Sequence, residues 1–388
     1  MNPVLWIPSW YPSRVDFLSG DFIERHAKAA AASVSVQVIF VVKDPKLKYG
    51  IIETEEKLYA EKSSACIYYY GTGNFKGFIE AMLSFIFQFK IFLKAYKKYF
   101  YKYGKPSAFH LHVAIKYSWI AWWWSVSKKI PLIISEHWTG YLREAKQEWN
   151  ALSFLQRFFM KKAFAKAILL ITVSEYLAKN IALKFKKIPP HIFIPNVVDT
   201  SIFKPANSIP KNDSQFIHIS TLSHQKNFDE IIEACSLVKK SGYHFRLIIY
   251  GSCGKKYHQK IKEINLLNEI IFKDEVPQTA LANDLATSKA LILYSLYETF
   301  GCVIIEANAC GVPCIVSKIL AFNENVTVEN GIKIPLHKPD LLSNCMIQFI
   351  NNEIEFDIQK IITFTNQKYS FKTVGNLFAD AYKTISSV

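Results

Sequence analysis

The stretch "ALILYSLYETFGCVIIEANACGVP", Ala290–Pro313, sets two carboxylates, Glu298 and Glu306, around a run that otherwise has the composition of a core. The apolar residues up to about Leu296 have the length and branching of a buried strand. The run from about Gly301 to just before Gly311 reads as a helix, with Gly311 and Pro313 as stop signals. Glu298 then falls in the loop ahead of the helix and Glu306 more than one turn inside it. The amides of Phe300, Gly301 and Cys302 would stand at the helix N-terminus, at the positive end of its dipole, where an anion binds readily. A glycine at 301 lets a ligand approach the backbone closely. Each acid also has an ordinary reading: Glu298 as an acidic residue before a helix, and Glu306 as part of a solvated face.

Working outward, short β-branched runs alternate with helical patterns, which predicts α/β architecture with parallel sheets. The first half offers "VLWI", "VSVQVIFVV", "FHLHV", "LIISEH", "ILLITVS" and "HIFIPNVVD"; the second offers "FIHIST", "FRLIIYG", "IIFKDEV", "ALILYSL" and "PCIVS". Between them "FKPANSIPKNDSQ" is rich in Pro, Asn and Ser and reads as a linker near residues 200–214. The last segment predicts a helix with Phe371, Val374, Leu377, Phe378 and Ala381 on one apolar face. Two doubly wound domains are expected to face a cleft, since ligands bind beyond the carboxyl ends of such strands.

The 388 residues exceed one ordinary core, and an apolar content of 50% excludes a disordered chain. "FIEAMLSFIFQFKIFL" is broken by Glu80 and Lys90, and "VAIKYSWIAWWWSV" by Lys116, so neither gives the roughly 20 apolar residues of a membrane span. The first ten residues lack the pattern of a secretory leader. Seven cysteines without a C-x-x-C spacing suit a reduced, cytoplasmic chain and not a zinc site. The net charge of +15 is concentrated: residues 75–190 hold 20 Lys and Arg against 5 Asp and Glu, while the flanks balance. Within that block, residues 78–105 predict a helix with one buried face and Lys90, Lys94, Lys97, Lys98, Lys102 and Lys105 elsewhere. Two readings stand for it: a wet side of a core helix, or a face for an anionic membrane or substrate. A nucleic-acid-binding protein without enzyme activity is the alternative that the charge raises. It leaves Glu298 and Glu306 without a role and shows no known binding module.

With these residues in place, the chain resembles the family 4 glycosyltransferases, retaining enzymes of the GT-B fold, through the Glu-x7-Glu pattern of "ETFGCVIIEANACGVP". "IPSWYPSRVDFLSGDFIERHA" looks like the family's opening strand and glycine loop, ending at Gly20. "SEHWTGY" is similar to the segment bearing a cleft histidine, here His137. "ITVSEYLAKNI", "IPNVVDTSIFKP" and "ISTLSHQKNFDEIIEAC" match the run into the second domain. The resemblance implies an acceptor-binding Rossmann-like domain over 1–200 and a nucleotide-sugar-binding one over 201–368. A final helix, 369–388, would cross back to the first. It implies transfer of a sugar, with retention, from a nucleoside diphosphate sugar to a glycan or lipid-linked acceptor in bacterial cell-surface polysaccharide synthesis. No cofactor or metal is implied, and the place of work is the cytoplasm or the inner face of the membrane.

Residue by residue, the resemblance implies that Glu298 contacts the donor sugar and Glu306 the ribose, each able to accept two hydroxyl bonds. Lys226 faces the donor phosphates and His137 the sugar, while the amides of Phe300, Gly301 and Cys302 and the loop at Gly20 complete the donor site. One departure stands out. The family's Gly-Arg-Leu is here Ser220-Thr221-Leu222, so Thr221 takes the place of a phosphate-binding cation, which leaves His224 or another residue to compensate. Glu136 precedes His137 and should point to the other face of its strand. His110 and His112 share a strand face but lack a third metal ligand beside them. "GTGNFKG", residues 71–77, misses the dinucleotide fingerprint and reads as a loop.

Overall fold

A computed structural model describes residues 2–206, 214–251 and 255–386. The expected linker falls largely on residues 207–213, outside the described ones. The chain divides into two compact units, Met1–Val197 with Phe371–Val388, and Val198–Ser370. The sequence suggested breaks at 200 and 369.

Unit 1 begins with β1 (Val4–Pro8), α1 (Asp21–Ala31), β2 (Val36–Lys43), β3 (Ile52–Ala60) and β4 (Ser63–Tyr70). It continues with α2 (Gly77–Tyr103), β5 (Phe109–His112), α3 (Ala114–Lys128), β6 (Leu132–Glu136), α4 (Lys146–Asn150) and α5 (Phe154–Lys166). Then come β7 (Leu169–Thr172), α6 (Glu175–Lys184) and β8 (His191–Phe193). The strands form one sheet in the order β3-β4-β2-β1-β5-β6-β7-β8, parallel except for β3, which pairs antiparallel with β4. β1, β5 and β6 are buried along their whole length, as strands covered on both faces are, although His110, His112, Ser135 and Glu136 interrupt the apolar residues of the last two. The β3–β4 hairpin was not expected. "IETEEKLYA" carries Glu53, Glu55, Glu56 and Lys57 and no β-branched run, because β3 is an edge strand whose charges guard it from further pairing.

Unit 2 runs β9 (Gln215–Ile219), α7 (Phe228–Lys240), β10 (Arg246–Tyr250), α8 (Lys255–Glu263), β11 (Ile270–Lys273) and α9 (Gln278–Thr287). It closes with β12 (Ala290–Leu293), α10 (Cys302–Ala309), β13 (Cys314–Ser317), β14 (Gly331–Ile334), α11 (Pro339–Ile350) and α12 (Ile358–Tyr369). Its sheet is wholly parallel, in the order β11-β10-β9-β12-β13-β14. Three expected strands are clearly shorter than read: "ALILYSL" pairs only as far as Leu293, "IIFKDEV" only as far as Lys273 and "HIFIPNVVD" only as far as Phe193. Each leads into a loop. β14 was missed because "GIKI" is too short to stand out.

Each sheet reverses its direction of growth once, between β1 and β5 in unit 1 and between β9 and β12 in unit 2. At such a switch point the two connections leave in opposite directions and open a crevice at the carboxyl ends of the strands. The loops there are stitched together. In unit 1, Ser9 N donates to the His112 carbonyl at 2.9 Å and Lys116 N to Ser9 Oγ at 3.1 Å. In unit 2, Leu296 N donates to the Gln225 carbonyl at 2.8 Å and Gln225 Nε2 to the Tyr297 carbonyl at 2.9 Å.

The last helix, α13 (Phe371–Ser386), belongs to unit 1 and packs on α1. Gly375 makes this contact possible, since a Cβ there would lie 2.2 Å from the Ala29 carbonyl oxygen. Val374, Phe378 and Ala381 are buried as expected, but Leu377 is 36% exposed. The buried stripe turns instead through Ala379 and Tyr382, whose hydroxyl lies 2.7 Å from His110 Nδ1.

Candidate active site

In unit 2 the residues singled out from the sequence converge at the switch point. The connection from β12 to α10 carries Glu298, and the connection from β9 to α7 carries Lys226. Lys226 Nζ donates to Glu298 Oε1 at 2.5 Å, and the same oxygen accepts from Ser295 Oγ at 3.0 Å. Glu298 is 6% exposed, so the pair is held largely out of water, where an ion pair is felt strongly. Gly301 caps α10 with φ +83°, and a Cβ there would lie 2.9 Å from the Phe322 ring. Only glycine meets both conditions. The Phe300 carbonyl is pinned by Asn325 Nδ2 at 2.6 Å, which fixes the loop in front of the helix. Glu306, on the second turn of α10, is 4% exposed. That excludes the solvated-face reading raised by its spacing.

Thr221 is exposed at the end of β9, and His224 shares a short helical turn, His224–Lys226, with the lysine. The backbone between them is set by Ser220 and by His218, which the sequence did not single out. His218 Nδ1–H donates to the Ile292 carbonyl at 2.8 Å, so Nε2 accepts from Ser220 Oγ, 2.7 Å away. Ser220 Oγ in turn accepts from Leu222 N at 3.1 Å, and Leu222 takes a left-handed φ of +52°. Burial, with a smaller effect of the Lys226 charge, pushes His218 down to about 4 against a favourable bond to Ile292, which keeps it neutral in this role. The available signal was a histidine in an apolar strand run two residues before a serine at the strand end.

In unit 1, Gly20 caps α1 at φ +72°, and a Cβ there would lie 2.5 Å from the Trp10 carbonyl carbon, so this glycine is required by the backbone itself. His137 follows β6, is 8% exposed, and packs against Phe22 and His26 with ring centroids 4.7 and 5.4 Å away. Neither of its nitrogens makes a hydrogen bond of normal geometry, although Asn196 lies near enough to favour the charged ring. Burial, then the neighbouring imidazoles His26 and His110, hold its titration well below the ordinary range. Glu136 points the other way. Its Oε1 accepts from Tyr141 at 2.6 Å and from Ala114 N at the start of α3 at 2.9 Å, and burial raises it to about 7. His110 is committed to Tyr382 and Ser135, 2.7 Å from each. His112 stacks on Trp6 at 3.9 Å, fully buried.

Two family models match the chain almost end to end. Residues 28–202 match the model described as "Glycosyltransferase Family 4", and residues 199–362 the model described as "Glycosyl transferases group 1". The chain belongs to the family 4 glycosyltransferases. Its fold is GT-B. Sucrose-phosphate synthase from Thermosynechococcus elongatus superposes with a TM-score of 0.74 at 17% identity, covering 99% of each chain. HepE from Anabaena in complex with UDP superposes with a TM-score of 0.70 at 16% identity, covering 98% of this chain and 100% of that one. Among curated relatives, the GDP-mannose-dependent alpha-(1-6)-phosphatidylinositol dimannoside mannosyltransferase of Mycobacterium tuberculosis is 30% identical over 30% of this chain. The match spans 30% of that relative's length. Within this glycosyltransferase the two carboxylates of the opening stretch are both buried, one in an ion pair and one on a helix.

Proposed function

We propose that this glycosyltransferase moves a hexose from a nucleoside diphosphate sugar, with retention, to a glycan or lipid-linked acceptor of a bacterial cell surface. The observation that carries this is the Lys226–Glu298 pair at the unit 2 switch point, in front of the α10 N-terminus, with Glu306 on the same helix. Lys226 and the amides at Phe300–Cys302 meet the diphosphate and stabilise it as it leaves. Glu298 holds hydroxyls of the transferred sugar, and Glu306 those of the ribose. Acceptor attack comes from the face the phosphate leaves, and the departing phosphate takes the acceptor proton, so no protein nucleophile is required. His137, neutral, contributes a hydrogen bond to the sugar. The UDP-bound neighbour and the relative named for GDP-mannose and a phosphatidylinositol dimannoside support a nucleotide donor and a lipid-linked acceptor.

A thermal-shift comparison of UDP, GDP and their sugar conjugates tests the donor reading. Ligand at 100 times its Kd should stabilise by about 2.7 kcal/mol, and no shift with any of them would remove it. The diphosphate is met here by a lysine and amides, and the sequence contains no Asp-x-Asp. Transfer should therefore survive excess EDTA, and loss restored by manganese would overturn the cation-and-amide account.

The enzyme works in the cytoplasm, peripheral at the inner face of the membrane. Among the described residues no helix is long and apolar enough to cross a bilayer. Lys90, Lys94, Lys97 and Lys98 stand exposed on α2, while Ile91, Phe92, Ala95 and Tyr99 are buried. Replacing Lys94, Lys97 and Lys98 by Glu should weaken binding to acidic vesicles and leave nucleotide affinity intact. Rising salt should also release the wild type, since exposed charges are screened beyond about 8 Å at 0.15 M. Equal vesicle binding by wild type and variant would return these lysines to plain solvation.

A further inference from the structure

Unit 1 carries a run of partly exposed aromatic side chains to which no role in the donor site has been assigned. Ring contacts join three helices in two groups. On one side Phe85 on α2 meets Trp119 on α3 at 4.9 Å and Phe89 meets Trp123 at 5.7 Å; on the other Trp122 of α3 meets Phe159 on α5 at 5.9 Å. Along α5 the second group goes on to Phe158 at 5.3 Å and Phe154 at 6.4 Å. These rings are not core: Phe154 is 76% exposed and its neighbour Leu155 is 63% exposed.

At the α5 end, Trp149, Phe154, Phe158, Arg157, Lys161 and Lys184 line a pocket of about 400 Å³. It holds three cations, three aromatics and no carboxylate. Among the described residues none of Arg157, Lys161 and Lys184 is held in an ion pair. The acids nearby in sequence are engaged elsewhere, Glu148 by Thr139 at 2.8 Å and Glu144 by Tyr176 at 2.7 Å. Lys184 lies over the Trp149 ring, 5.2 Å from its centroid. Burial, then the charge of Lys146, disfavours its protonated form, a cost that a bound anion removes.

We propose that this pocket receives the anionic head group of a membrane phospholipid, so that unit 1 docks on an acidic leaflet through α5 with Phe154 and Phe158 in the interfacial layer. Aromatic rings settle at the level of the head groups, and long basic side chains reach past an apolar stem to the phosphate. The exposed rings at the rim favour an anion attached to an apolar body over a free one. The inference rests on the peripheral reading above and adds to it a place and a ligand.

Co-sedimentation with vesicles of phosphatidylcholine and phosphatidylglycerol in equal parts tests it. The wild type should bind. R157E/K161E/K184E should lower the partition coefficient on the order of 100-fold, from about fivefold per basic residue lost at an anionic surface. F154S/F158S should lower it on the order of 100-fold with no change of charge, from roughly tenfold for each phenyl ring withdrawn from water. UDP affinity should be unchanged in both, since none of these side chains is assigned to the donor. Equal binding by wild type and either variant overturns the pocket. So does release of the wild type by inorganic phosphate or glycerol phosphate at the head-group concentration, which would make the site one for free anions. If only K94E/K97E/K98E loses binding, the peripheral reading stands and the pocket falls. If the wild type does not bind acidic vesicles, both fall.

Discussion

Glu306→Ala should weaken the free nucleoside diphosphate and the sugar nucleotide alike, on the order of 10- to 150-fold, because each carries the ribose assigned to Glu306. The size follows from one hydrogen bond to a charged group, worth roughly 1.5–3 kcal/mol. Glu298→Ala should behave differently. Glu298 now holds Lys226 at 2.5 Å, so removing it leaves the lysine free for the phosphates. Affinity for the free nucleotide should be kept or raised, while the sugar conjugate binds less well. A further loss in turnover is expected where the sugar contact tightens at the transition state. Calorimetry on both variants with both ligands gives the comparison. Equal loss of free nucleotide in the two variants would end the division of labour, and no change in either would make the pair purely structural.

The second large effect is a loss of stability in mild acid, centred on unit 1. His26, His110, His112 and His137 are all buried, and burial is the first cause that lowers each of them. His26 falls from 6.5 to about 4. An imidazole lowered on folding contributes stability that is full above its unfolded value and is lost as pH falls from 6.5 through about 4. For His26 alone the loss is about 3 kcal/mol. Glu136 works in the opposite sense: raised from 4.5 to about 7, it disfavours the folded state as pH rises through that range and so regains stability on acidification. Four imidazoles oppose one carboxyl, so acid should win. Denaturant unfolding should show the midpoint dropping steeply between pH 6.5 and 4, and His26→Gln should flatten the drop. An acid limb as steep in that variant would remove His26 from the account.

The fold was legible where strands are buried on both faces. β1, β6, β10 and β13 each hold three or more apolar residues in a row, the mark that parallel sheets leave, while β5 and β9 mix apolar residues with buried histidines. The β3–β4 hairpin was not, because an edge strand is half wet and its charges mimic a loop. The Glu298 loop, the helix start at Gly301 and Lys226 could be read from spacing and resemblance. Their direct contact could not, since 72 residues separate them and only the order of β9 and β12 makes them neighbours. Leu377 was misplaced for a similar reason. Helical periodicity gives a stripe about 100° wide, and the position of Ala29 against Gly375 decides where in that stripe α13 is covered.

The return of α13 to unit 1 also sets an order of events during synthesis. The residues from Phe371 on complete unit 1, and all of unit 2 is translated before them. At about 5–20 residues per second, that interval lasts on the order of 10 to 30 s. Throughout it the face of α1 around Ala29 and the rings of Trp6 and His26 lack the helix that covers them, while unit 2 is unbroken in sequence and waits for no later segment. The nascent chain thus offers chaperones an apolar seat for many seconds. A chain released before residue 371 would carry a complete second unit and a first unit left open.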